Sequence, residues 1–171
     1  GDDDPEERLR LVDAFIEDFD RGAPPPAIVT QPLREEPTSV VETYDPGEQG
    51  PDQAKAMVTV NWLLPDVTDL DLNVDLGILS YILVGTPASP LRRALIESGL
   101  GEDLTGNGFA NYILQMYFST GLRGIDAAKA AEVEAIIFDT LQELVAKGLD
   151  PDLVDAAMNT TEFRLRESNT G

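Results

Sequence analysis

The sequence predicts an α+β fold in which an antiparallel sheet is covered by helices mainly on one face. Three observations predict it. Segments whose apolar residues alternate at period two come in pairs, segments with helical spacing come in pairs after them, and Gly, Asp-Pro or Ser-Pro punctuation separates one from the next. The resulting order, ββααββαα, separates strand pairs by helix pairs, which suits an antiparallel sheet backed by helices.

The elements follow in order. Asp4-Pro5-Glu6-Glu7 reads as a helix start, with Asp4 as cap and Glu7 closing a capping box, and Leu9, Val12, Ile16 and Phe19 share one face up to a stop near Gly22. Ala23 to Glu36 holds Pro24-Pro25-Pro26 and Pro32, a stiff extended linker. The expected organisation is therefore a helix at 1–22 belonging to a preceding domain, a linker at 23–36 and an α+β domain at 37–171. Thr38 to Tyr44 and Ala54 to Leu64 read as a strand pair joined by the turn-rich Asp45 to Pro51, the second strand presenting Ala56, Val58, Val60, Trp62 and Leu64 on one side. Thr68, with Asp71 three residues on, caps a helix with the stripe Leu72, Leu76, Leu79 and Leu83 that stops at Gly85. Ser89-Pro90 opens a shorter helix that ends where Gly99 supplies a left-handed residue. Gly101 to Gly108 and Asn111 to Arg123 form the second strand pair. Asp126 caps a long helix ended by Gly148, and Asp150-Pro151 starts the last one, with the stripe Leu153, Val154, Ala157, Thr161 and Leu165.

Composition narrows the chemistry. The chain of 171 residues contains no His and no Cys, so imidazole and thiolate chemistry is absent and no disulfide framework exists. Its 32 acidic and 12 basic residues leave a net charge of −20, which repels nucleic acid and anionic lipid, so neither is an expected partner. Only Lys55, Lys129 and Lys147 are lysines, and two readings of this acid-rich, Lys-poor surface stay open: hydration in concentrated salt, or attraction of basic peptides. No run approaches the 18 or more apolar residues of a membrane span, and the expectation is a soluble chain, cytoplasmic if bacterial. The start, Gly1-Asp2-Asp3-Asp4, shows no signal or transit segment and reads as a boundary within a longer protein.

Motifs that suggest ligands mostly dissolve on inspection. Asp69 to Asp75 spaces oxygens at alternate positions like the start of a calcium loop, yet Val74 and Ser80 stand where an EF-hand needs Gly and a bidentate Glu, so a solvated acidic helix start is expected. Asn159-Thr160-Thr161 fits the glycosylation pattern but falls inside a predicted helix, and Gly106-Asn107-Gly108 lacks the third Gly and the Lys of nucleotide loops.

Val60 to Pro65, the block Gly85-Thr86-Pro87-Ala88-Ser89-Pro90-Leu91-Arg92-Arg93-Ala94-Leu95-Ile96-Glu97-Ser98-Gly99-Leu100-Gly101-Glu102, then Gly121 to Ile125 and Met158 to Gly171, resemble the presequence-protease branch of the pitrilysin/insulinase metallopeptidases. The resemblance runs along nearly the whole chain. It implies the second, non-catalytic domain of the first half of a clam-like zinc peptidase, lining a chamber in which unfolded and basic peptides are degraded. By the same resemblance the zinc motif, His-x-x-Glu-His, belongs to the preceding domain, so no catalytic or metal residue carries over and no cofactor is expected here. The partners implied are the other domains of the same chain and the peptide. A relative that lost its metal and serves as a scaffold or processing subunit is the alternative.

The resemblance also implies docking of a peptide on a strand edge of this domain, and with the glycines of Leu104-Thr105-Gly106-Asn107-Gly108 it makes Leu104, Thr105 and Gly106 the candidate exosite. The same glycines are equally read as a turn between two strands. Zinc titrated calorimetrically into the chain should show no stoichiometric site, because a purely carboxylate surface suits zinc poorly; a single sub-micromolar site would contradict this.

Overall fold

In a computed structural model, residues 4–20, 22–45 and 56–168 are described. Their order is α1 (Pro5–Ile16), β1 (Ala56–Asp66), α2 (Leu70–Val84), α3 (Pro90–Glu97), β2 (Asp103–Ala110), β3 (Gln115–Ile125), α4 (Ala130–Lys147) and α5 (Pro151–Glu167), with a 3-10 turn, Ala127–Lys129, leading into α4. The three strands form one sheet in the order β1-β3-β2, and β3 runs antiparallel to both neighbours.

Alternation sets the sheet's two faces. Val58 lies opposite Leu122, Val60 opposite Thr120 and Trp62 opposite Phe118, while Leu104 of β2 meets Leu122 from the other side. This face buries Leu122 and Ile125 against Leu83 of α2, Leu91 and Leu95 of α3, and Val133 and Ile137 of α4. The Trp62 ring packs 5.6 Å from Phe118 and edge-on, at 6.0 Å, to Phe138 of α4. On the opposite face Met57, Thr59 and Asn61 are exposed, so the helices cover one side of the sheet, as predicted.

The first strand pair is the main departure. Thr38 to Tyr44 is not a strand; Val40 and Val41 are 77% and 89% exposed, and β1 pairs with β3 instead. β-Branched residues favour an extended backbone but cannot form a strand without a partner. Most of the expected connecting loop lies outside the described residues. Helix starts shift in the same local way. Asp69, not Thr68, caps α2 by accepting from Leu72 N at 3.1 Å, because Thr68 is tied back to the Asp66 carboxylate. Asp4 accepts from Glu6 N at 2.9 Å, but Glu7 pairs with Arg10 and forms no capping box. α1 ends at Ile16, and Leu9, Val12, Phe15, Ile16 and Phe19 are all exposed. Leu79, Leu114 and Leu165 are also exposed, whereas Ile82 of α2 is buried.

One glycine is required by the sheet itself. A Cβ on Gly121 would lie 1.9 Å from the Val58 carbonyl oxygen and 2.9 Å from Thr59 Cα, both backbone atoms of β1. Thr105 of β2 uses the gap over Gly121 to donate its hydroxyl to Met57 Sδ on the far strand, at 3.0 Å. Gly121→Ala should therefore lose about 2–3 kcal/mol or more in urea unfolding. Gly77→Ala, inside α2 with nothing within 4 Å of the new methyl, should gain up to about 1 kcal/mol.

Candidate functional site: a groove along the open part of an edge strand

β2 is an edge strand with a bulge. Its register against β3 slips between Thr105 and Gly108, so an extra residue is accommodated at Gly106-Asn107. Gly106 and Gly108 both have positive φ, +89° and +63°. At Gly106 a Cβ would meet the backbone of Ser119 at 2.6–2.7 Å, and at Gly108 it would crowd the Ser80 hydroxyl of α2 at 3.1 Å. These glycines lie within the strand and do not form the turn between β2 and β3. The backbones they admit belong to this chain, so the bulge is architectural.

The bulge divides the edge of β2. Beyond it, α2 stands directly on the strand, with Phe109 N donating to Ser80 Oγ at 3.1 Å. A groove of about 590 Å³ runs between α2 and β2 on both sides of the bulge, walled by Gly77, Ser80, Tyr81 and Val84 of α2 and floored by Ser119 and Thr120 of β3. Leu104, Thr105 and Gly106 all line this groove. The candidate exosite thus falls on an edge-strand segment that faces a cavity, with Leu104 also packed against the core and Thr105 engaged with Met57.

Three further lining residues escaped the sequence reading: Arg92 of α3, Arg164 of α5 and Thr120. The Arg164 guanidinium stacks over the Tyr81 ring, 5.2 Å from its centroid. Thr120 is 1% exposed, and its hydroxyl has no hydrogen-bond partner among the described residues. Asp103, at the groove's edge, is bonded to Arg123 at 3.1 Å; that bond, helped by the Leu104 amide, holds its carboxyl below the usual carboxylate range. Arg92 did carry a signal. It is a cation in the first turn of a helix, where the macrodipole disfavours positive charge. Arg164, in the last turn of α5, suits the dipole and gave none.

Nearby, Asn107 Nδ2 donates to Tyr117 Oη at 3.3 Å, and the Tyr112 and Tyr117 hydroxyls meet at 2.7 Å. The bond to Tyr112, with the one from Asn107, lowers the Tyr117 pKa, and the same contact raises that of Tyr112.

No group of three or more His, Cys, Asp or Glu side chains that could hold a metal occurs among the described residues. Asp69 serves as the cap of α2, and Asp71 and Asp75 are exposed on its first turns.

Fold and site together define an α+β domain with a half-covered sheet and a groove along one edge. The chain belongs to the family described as the peptidase M16 inactive domain, which matches residues 1–161. It is 45% identical to presequence protease 1, chloroplastic/mitochondrial, of Arabidopsis thaliana, over the whole chain and 16% of that protein. It is 33% identical to the mitochondrial presequence protease of Mus musculus, over 94% of this chain and again 16% of the relative. The chain therefore spans about a sixth of the length of these relatives. Among solved structures it resembles a zinc protease of Bordetella pertussis Tohama I, with a TM-score of 0.54 and 21% identity over 71% of this chain and 66% of that one, a likeness of fold.

Because the bulge glycine answers to its own chain, Gly106→Ala should cost at least about 2 kcal/mol in urea unfolding, from the left-handed backbone and the contact with Ser119. Gly99→Ala, also at positive φ (+66°) but with nothing within 4 Å, should cost only about 1 kcal/mol.

Proposed function

We propose that this chain is a non-catalytic, peptide-binding wall domain of a zinc-dependent M16 peptidase, and that it takes extended peptide segments along the open stretch of β2. The observation that carries this reading is the groove along the edge of β2. An edge strand exposes N–H and C=O groups that an added strand can satisfy, and here Phe109 N is already taken by Ser80 while Leu104, Thr105 and Gly106 face the groove. Leu104, Thr105 and Gly106 are the contact residues in this reading. Membership in the M16 inactive-domain family supports the assignment of catalysis to another part of the parent chain. The exposed apolar residues of α1 support its role as the last helix of a preceding domain, with 23–36 as the linker.

Unfolded peptides and the other domains of the parent are the proposed partners. A His-x-x-Glu-His sequence about one domain length, roughly 200 residues, upstream supports the peptidase over the scaffold reading. For the edge itself, amide hydrogen exchange is the direct measurement. A saturating extended peptide should slow exchange among residues 103–107 of β2 and leave residues 57–61 of β1 unchanged. Protection elsewhere, or none, would rule out β2 as the docking edge.

A further inference from the structure

We infer that the groove beside β2 is selective for acidic side chains: a peptide segment lying on the open edge presents a carboxylate to Arg92 and Arg164. This rests on the edge-binding reading above and adds a specificity to it.

The argument begins with which cations of this acidic chain are already satisfied. Arg93, next to Arg92, pairs with Glu97, and Arg166, two residues beyond Arg164, pairs with Glu162, each at helical spacing. Arg92 and Arg164 form no ion pair with any described carboxylate. No acid stands three or four residues from Arg92 in the chain; on α5 Glu167 stands three residues beyond Arg164 without an ion pair between the two. Asp103, the one carboxylate lining the groove among the described residues, feels Arg92 but is hydrogen-bonded to Arg123.

Two guanidiniums without an ion pair among the described residues thus line one groove of a chain with net charge −20. Arg164 is oriented by its stack on Tyr81, which lowers the entropic cost of holding a carboxylate. Arg92 lies in the first turn of α3, whose positive dipole end adds to its attraction for an anion. The third contributor is Thr120. Its buried hydroxyl lacks a partner among the described residues and lines the same groove, and a buried polar group in that state is stabilised by an acceptor brought in by a ligand.

The test uses three extended peptides, acetylated and amidated so that the termini carry no charge, and identical except for a central pair of Glu, Gln or Lys. Binding to the chain is read by fluorescence anisotropy at about 0.15 M salt, where charges more than about 8 Å away are screened. The Glu peptide should bind about fivefold tighter than the Gln peptide, the size that two exposed ion pairs support. In the double variant Arg92→Gln/Arg164→Gln the two affinities should converge, with that of the Gln peptide unchanged. Arg92→Lys/Arg164→Lys, which keeps the charges, should retain a preference for Glu. Equal binding of Glu and Gln peptides to the unaltered chain overturns acidic selectivity and leaves edge binding standing. A preference for Glu that survives the Gln variant, or one lost equally in the Lys variant, overturns its assignment to the charges of Arg92 and Arg164. If none of the three peptides binds, the edge-binding reading falls with it.

Discussion

The structure depends on the close approach of two backbones, β1 and β3, at Gly121. β3 is the strand with neighbours on both sides, and its apolar residues meet three helices at once. Close approach at Gly121 lets Val58 and Leu122 lie opposite each other in the core, and it lets Thr105 reach Met57 across the uncovered face. With β3 held this way, β1 and β2 both become edges. The helices then settle which edge stays open, because α2 packs on the far end of β2 through Ser80.

The bulge in β2 turns that edge into a groove. Two glycines at positive φ let the strand shift its register over Ser119 without breaking its pairing with β3. The shift brings Gly108 up to Ser80 and Val84 of α2, beside the groove that Leu104 to Phe109 line. An edge strand is a hazard when long and flat; here the bulge and the helix leave a short accessible stretch.

Charge acts at two ranges on this molecule. The net −20 sets a long-range field that attracts basic chains and weakens with salt. Inside the groove the balance is reversed by Arg92 and Arg164, and close contacts there are less sensitive to screening. In the proposed reading the two scales separate encounter from selection, since a field draws a peptide toward the surface but does not choose the side chain that faces the floor. Average composition reports the first scale alone, and for that reason the acidity of the chain does not predict the character of its groove.

What the sequence determined by itself was local: five helices, with the Asp-Pro starts of α1 and α5 and the Gly stops of α2 and α4, three of the four expected strands, and the face of β1 that enters the core. Helical spacing, period-two alternation and capping act over a few residues and are visible in a short window. That Leu104, Thr105 and Gly106 belong to one strand was also legible, though Gly106 and Gly108 serve the chain's own backbone. The tertiary structure alone decided that β1 pairs with β3, that Thr38 to Tyr44 has no partner, and that Arg92, Arg164 and Thr120 share one groove. Those outcomes follow from contacts between residues far apart in the chain, in which closing a long loop is offset only when several apolar pairs form together. No local pattern carries that competition.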